Sequence, residues 1–333
     1  MSIKYQILGK PGKDNALYVR LNSGSKMYRI LFDCGEKTLE ELKQQDVKGI
    51  DYIFFSHLHI DHAGGFDYFF RRNYDRAKPI FIWGPDDTAE ILNHRLLGYK
   101  WNLIGDKGGN WFITDIKEKS QIQFYIKFPD AFSNKNLVGK KDIKENLFET
   151  KNFVIKSIRL NHIIPSIGYF LIENPSHNIN PEKLERLKLP QGNWLEKLKD
   201  FSIEDSTNIE IERRNFSLGE LRKELLETTK GESIAYLTDF ILDNDSQQKL
   251  IQFLKGCDTL VCESQYLNKD FHLAETNYHL TALQAASIAK ESGVKRLILL
   301  HISERYQKNF KEVLNEAREM FNNTFLPESW EKY

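Results

Sequence analysis

The stretch Ser56-His57-Leu58-His59-Ile60-Asp61-His62-Ala63-Gly64-Gly65 constrains this chain more than any other. Tyr52-Ile53-Phe54-Phe55 just before it is an aromatic and β-branched run, which predicts a short buried strand. Phe66, Phe69 and Phe70 follow at helical spacing, so the polar residues fall on a strand-to-helix turn. In extended backbone His57 and His59 project to one side and can reach one cation. Asp61 and His62 come one turn later, where they can reach a second cation nearby. Neutral imidazole and carboxylate are the ligands that zinc takes outside a thiolate site. The stretch reads as a metal site rather than as a His-rich polar turn.

This pattern resembles the signature of the metallo-β-lactamase superfamily. The resemblance implies an α/β fold, an αββα sandwich of two mixed sheets flanked by helices, with metals at one sheet edge. Further ligands should then follow strands, and three places fit. The alternating Val154-Ile155-Lys156-Ser157-Ile158-Arg159-Leu160 delivers His162, Ser233 to Thr238 delivers Asp239, and Arg296 to Leu300 delivers His301. His94, His177 and His272 lack such a context and are expected at the surface.

With 333 residues the chain can bury a sizeable core. Lys plus Arg balances Asp plus Glu at 47 each, so no global field draws it to nucleic acid or membrane, and a polyanion site must be a local patch. Cys34, Cys257 and Cys262 show neither metal nor redox spacing, which suits a reducing cytoplasm. No apolar run approaches the length of a membrane span, and no signal-peptide pattern opens the chain. A soluble, cytoplasmic protein is expected.

Residues 1–33 read as paired strands, with Asn22-Ser23-Gly24 as a turn. Asp33 ends one strand, and is either an ordinary turn residue or a carboxylate that orients a ligand histidine from behind; the superfamily has an Asp here, which favours the latter. Pro79 to Trp83 predicts a strand and Gly84-Pro85-Asp86-Asp87 a turn that caps a helix. Residues 100–150 look less regular, with Lys135, Lys140, Lys141 and Lys144 on a solvated face. The segment at about 173–230 is rich in Lys, Glu and Asn and lacks core signals, which predicts an arm-like insertion in a single domain spanning 1–333. Thr281 and Gln284 form a capping box for a helix with an alanine face (Ala282, Ala285, Ala286, Ala289), and Gly293 ends it. Phe310, Val313, Leu314, Ala317 and Phe321 mark a final amphipathic helix.

Within the superfamily the chain is similar to the ribonuclease Z family of tRNA 3′-processing endonucleases. Leu31-Phe32-Asp33-Cys34-Gly35-Glu36 resembles that family's first motif, and Asn161-His162-Ile163-Ile164-Pro165-Ser166-Ile167-Gly168-Tyr169 its third. His279-Leu280-Thr281 with Gln284-Ala285-Ala286, then Leu297 to Tyr306, resembles its C-terminal block, and the insertion falls where the family carries a tRNA-gripping arm. The chain departs from the family at Lys37-Thr38-Leu39, at Cys262-Glu263-Ser264-Gln265 and at Gly192-Asn193, positions that bear on substrate rather than on the ligands.

The resemblance implies two divalent metal ions, zinc first and manganese or iron as alternatives, that activate a hydroxide between them. His57, His59 and His162 would bind one, Asp61, His62 and His301 the other, and Asp239 would bridge them. Asp61 could also act as general base. His279, oriented by Glu263, would protonate the leaving 3′-oxygen, or else is a histidine packed before the capping Thr281. Lys183, Arg186, Lys188, Lys197 and Lys199, with Trp194 stacking, could contact RNA, although a surface helical hairpin fits the same residues. The resemblance also implies a homodimer. The leading expectation is cleavage of precursor tRNA 3′ trailers. A phosphodiesterase for small or cyclic nucleotides is the alternative, and a lactone, thioester or lactam hydrolase a more distant one.

Overall fold

Alternating apolar residues near the N-terminus build an antiparallel meander of β1 (Ile3–Gly9), β2 (Asn15–Asn22) and β3 (Met27–Phe32). Three helix-linked crossovers follow. α1 (Gln44–Gly49) leads to β4 (Tyr52–Phe54), α2 (Ile60–Ala63) and α3 (Phe66–Asn73) to β5 (Ile80–Pro85), and α4 (Thr88–Leu97) to β6 (Asn110–Ile116). Strands β3 to β6 are therefore parallel, as helical crossovers require. β7 (Ser120–Lys127) and β8 (Asn136–Asp142) return antiparallel and complete eight strands in chain order. The computed structural model describes residues 3–23, 26–101 and 108–333.

Two local expectations change here. The described part of the 100–150 region contains four strands, β6 to β8 and the two-residue Phe148–Glu149, but β8 is exposed along its whole length, so its sequence lacks the apolar contrast that announces a strand. Lys140 and Lys141 lie on it, Lys144 beyond it is exposed too, and Lys135 pairs with Glu90. Asp87 precedes α4 in left-handed backbone and makes no capping bond; Thr88 holds that turn by donating to the Pro85 carbonyl at 2.7 Å. Between β2 and β3 Ser23 N–H donates to the Lys26 carbonyl at 3.0 Å, while Gly24 lies outside the described residues.

The second sheet begins with β9 (Phe148–Glu149), β10 (Phe153–Leu160) and β11 (Ser166–Glu173). Next come β12 (Ser176–Ile179), α5 (Pro181–Arg186), α6 (Trp194–Lys199), β13 (Asn208–Ile211), β14 (Arg214–Ser217), α7 (Leu218–Leu225) and β15 (Leu226–Thr229). The sheet resumes with β16 (Ser233–Leu237), α8 (Asn244–Phe253), β17 (Thr259–Glu263), α9 (Phe271–Asn277), α10 (Ala282–Glu291), β18 (Arg296–Leu300), α11 (Lys311–Met320) and β19 (Thr324–Phe325). Its spatial order is β19-β18-β17-β16-β11-β10-β9, with β16 to β19 parallel.

Residues 173–231 form one compact unit and the rest of the described chain another. In the larger unit three apolar layers define an α/β, αββα sandwich of two mixed sheets flanked by helices. The middle layer joins the sheets through aromatic rings, among them Phe32, Phe54, Trp83, Tyr169 and Tyr236, with Phe54 and Trp83 stacked at 4.8 Å. Phe55, Phe66, Phe69, Phe70 and Trp111 pack the first sheet against its helices. On the far side Ala285, Ala286 and Ala289 let α10 approach Leu260, Leu297 and Leu299 closely, and the capping box of Thr281 and Gln284 starts that helix.

The 173–231 unit has a core of its own, built from Leu184, Leu189, Leu198, Ile209, Ile211, Leu218, Leu221 and Leu225. Its leucines are scattered over short elements, so no long periodic run advertises them. Buried Arg222 pins the connecting loop: its guanidinium donates to the carbonyls of Leu198 at 3.1 Å and Ile203 at 2.9 Å, and to Asp200 and Asp205. Replacing Arg222 by Met leaves several carbonyls unsatisfied and should destabilise this unit by about 2–4 kcal/mol. Limited proteolysis is the check: new cleavage sites should fall within 173–231, and an unchanged digestion pattern would refute the assignment.

Candidate metal centre

Parallel strands in each sheet present their carboxyl ends together, and the candidate residues follow those ends. β3 leads to Asp33 and β4 to Ser56–His62, while β16, β17 and β18 lead to Asp239, Glu263 and His301. β10 delivers His162. Asp33, Asp239 and His301 all adopt left-handed backbone, with φ of 57°, 54° and 52°. Such conformations cost a non-glycine residue of order 1–3 kcal/mol and persist only where the surroundings fix them. Here Asp33 N–H donates to Phe54 at 3.0 Å and His301 N–H to Asn15 Oδ1 at 3.0 Å. Gly65 lets the histidine turn lie against the loop after Asp33: a Cβ there would sit 2.3 Å from the Gly35 carbonyl oxygen.

All seven expected ligands meet at this edge, in two clusters that share one carboxylate. His57, His59, His162 and Asp239 offer ligand atoms within 4.8 Å of one another, and so do Asp61, His62, Asp239 and His301. Asp239 Oδ2 is 3.7 Å from His57 Nε2 and 3.9 Å from His162 Nε2, while its Oδ1 is 3.3 Å from His62 Nε2 and 3.7 Å from His301 Nε2. The two oxygens of Asp239 thus face different clusters.

Partners behind the rings decide which nitrogen is bare. His62 Nδ1 lies 2.8 Å from Asp33 Oδ2 and His162 Nδ1 3.0 Å from the Tyr278 carbonyl, both acceptors only, so these Nδ1 atoms carry the proton. The lone pairs of His62 and His162 are left on Nε2, on the side of Asp239. Buried His62 Nε2 and His301 Nδ1 have no hydrogen-bond partner among the described residues. His57 Nε2 and His59 Nδ1 lie 2.9 Å apart. Converging imidazole nitrogens, carboxylate oxygens and an orphaned buried nitrogen fit a divalent cation.

The electrostatics agree. Burial pushes His57 down to about 2, helped by neighbouring imidazoles, and burial also lowers His162. Against its burial, His62 is raised well above the usual range by Asp239 and Asp33. Asp239, despite burial, is held well below the carboxylate range by His301, His62 and His57, and Asp61, despite partial burial, is held low by the His301 and His62 rings beside it. The cluster as built calls for positive charge.

Beside it, His279 Nδ1 sits 2.9 Å from Glu263 Oε2, and Glu263 Oε1 accepts from Phe240 N–H at 2.8 Å. Although burial alone would lower it, the Glu263 carboxylate brings His279 up to about 9. His279 Nδ1 is also 3.9 Å from Asp239 Oδ2.

Sequence reading missed Ser56, Tyr236 and Asn15, all buried and bonded to site residues. Only Ser56 carried a signal, its position directly before His57. Lys183, Arg186, Lys188, Trp194, Lys197 and Lys199 belong to the 173–231 unit. There Arg186 pairs with Glu224, and Trp194 packs partly into the unit's own core with its N–H on Pro190 at 3.0 Å, leaving only part of the ring to stack. Cys34, Cys257 and Cys262 are buried free thiols. His94 and His272 are exposed, and His177 packs against Phe201 with ring centroids 4.3 Å apart and planes tilted by 47°. Among the described residues no helix is long and apolar enough to cross a membrane.

Residues 14–179 match the family model described as Anti-Pycsar protein Apyc1. The chain is 38% identical over 326 residues to the ribonuclease Z of Deinococcus radiodurans, covering 97% of each protein. Among solved structures it is similar to the metallo-β-lactamase fold protein YhfI from Bacillus subtilis, with a TM-score of 0.57 and 13% identity over 97% of this chain and 95% of that one. It is also similar to human tRNase Z, short form, with a TM-score of 0.52 and 21% identity over 92% and 94%. These two likenesses bear on the fold, which is that of the metallo-β-lactamases.

Because Asp239 faces both clusters, Asp239→Ala should release bound metal from both and abolish turnover. Metal content after gel filtration is the check, and full metal retention would refute the shared role.

Proposed function

The chain belongs to the ribonuclease Z family, and we propose that it is a metal-dependent endoribonuclease that removes 3′ trailers from precursor tRNA. The observation that carries this reading is the pair of ligand clusters sharing Asp239, with the His279–Glu263 pair at 3.9 Å from that carboxylate. In this reading His57, His59 and His162 would hold one ion and Asp61, His62 and His301 a second, with Asp239 shared by the two ligand sets. Zinc suits the imidazole-rich set best. Bound there, such ions lower the pKa of water and polarise a phosphoryl oxygen.

The chain's own groups do the rest. Asp61, the most open of the ligand carboxylates with 41% of its side chain exposed, accepts the proton of the attacking water. His279, held through Nδ1 by Glu263, is protonated at neutral pH and donates from Nε2 to the leaving 3′-oxygen. Residues 173–231 serve as the arm that grips the tRNA, and a homodimer in which each arm serves the partner's site completes the reading. The three buried free thiols support a cytoplasmic setting.

One observation favours a second reading, a phosphodiesterase for small nucleotides. Acidic residues outnumber basic ones within 173–231, which weakens its attraction for a polyanion.

The test is cleavage of a 3′-extended tRNA transcript beside a chromogenic phosphodiester. A single metal-dependent cut after the acceptor stem, absent in His162→Ala, is expected; turnover of the small diester alone would favour the second reading. His279→Ala should keep its metal and lose about 10²–10⁴-fold in kcat. Ile172 pairs with Ser233, so the insertion's ends are adjacent and residues 174–231 can be replaced by a tight turn. That variant should keep diesterase activity and lose tRNA cleavage, and equal loss on both substrates would count against the arm.

A further inference from the structure

We propose that a single carboxylate, Asp33, sets one imidazole of each metal cluster, His62 directly and His57 through the positioning residue Ser56. Asp33 is fully buried and accepts four hydrogen bonds. Its Oδ1 takes Ser56 N–H at 2.7 Å, and its Oδ2 takes the Ser56 hydroxyl at 2.7 Å, the Tyr236 hydroxyl at 2.8 Å and His62 Nδ1–H at 2.8 Å. Three of the four donors converge on Oδ2 and one holds Oδ1, so the carboxylate cannot rotate without breaking a bond.

Ser56 has one hydroxyl proton, and it goes to Asp33. The Ser56 oxygen must then act as acceptor toward His57 Nδ1, 3.0 Å away, so that nitrogen carries hydrogen and Nε2 is bare. Two lines therefore leave one carboxylate. The direct line ends on His62 in the cluster with Asp61 and His301. The line through Ser56 ends on His57 in the cluster with His59 and His162. Tyr236 comes from β16 of the opposite sheet, and its hydroxyl anchors the hub across the sandwich. Partners behind metal-bound histidines typically change metal affinity by about 10–100-fold. One hub with two unequal branches thus gives each atom its own signature.

The inference rests on the metal-binding part of the proposed function and is independent of the substrate. Zinc-free protein is titrated with zinc against a chromogenic chelator, and its unfolding without metal is measured in parallel. Wild type should bind two equivalents. Ser56→Ala should weaken one of them about 10–100-fold and leave the other in place, Ser56→Thr should restore it, and Asp33→Asn should weaken both. Wild-type affinity for both equivalents in Ser56→Ala would overturn the proposal. So would equal losses in Ala and Thr, or a loss explained by lower stability of the metal-free variant. A wild-type protein that binds no zinc would instead overturn the metal reading itself.

Discussion

An imidazole serves a cation only through a bare nitrogen, so the fold has to settle the tautomer of each ring before any ion arrives. This chain does so with acceptors that have no proton to give, the Asp33 carboxylate and the Tyr278 carbonyl. Those acceptors come from separate elements, and their positions depend on two sheets meeting through the Phe32, Phe54, Tyr169 and Tyr236 layer. The Tyr169 hydroxyl donates to the Phe55 carbonyl at 2.6 Å and Ile167 N–H to Ser56 at 2.9 Å, so the second sheet is fastened directly to the strand that carries the histidine motif. Packing and chemistry meet in that seam.

The parts of this arrangement legible in the sequence were those with local signals. A strand-like run before a polar turn marked His57 to His62, and the same logic found His162, Asp239 and His301, because each follows an alternating or continuous apolar strand. Tyr236 could not be read this way: inside a strand, a tyrosine aimed at a distant carboxylate looks like any packed aromatic. Asn15 acts on a residue 286 positions away, and no local pattern encodes such a reach. The edge strand β8 was invisible for the opposite reason, since it buries too little to leave an apolar trace.

The 173–231 unit shows how charge can hide a core. Its sequence reads as a polar insertion because a charged side chain stands next to almost every leucine. Folded, those leucines converge, and Arg222 satisfies the carbonyls of a loop that has no strand to pair with. A buried guanidinium takes the place that regular backbone pairing holds elsewhere.

The distribution of ligands along the chain has a consequence for biosynthesis. The cluster of His57, His59, His162 and Asp239 has all its members by residue 239, whereas the cluster of Asp61, His62 and Asp239 waits for His301, so the pair is complete only when nearly the whole chain has folded. A cation that binds only the finished arrangement adds stability by mass action to complete molecules and none to partial ones. Metal uptake thereby favours finished molecules: a chain stalled before β18 lacks His301 and cannot complete the cluster of Asp61, His62 and Asp239.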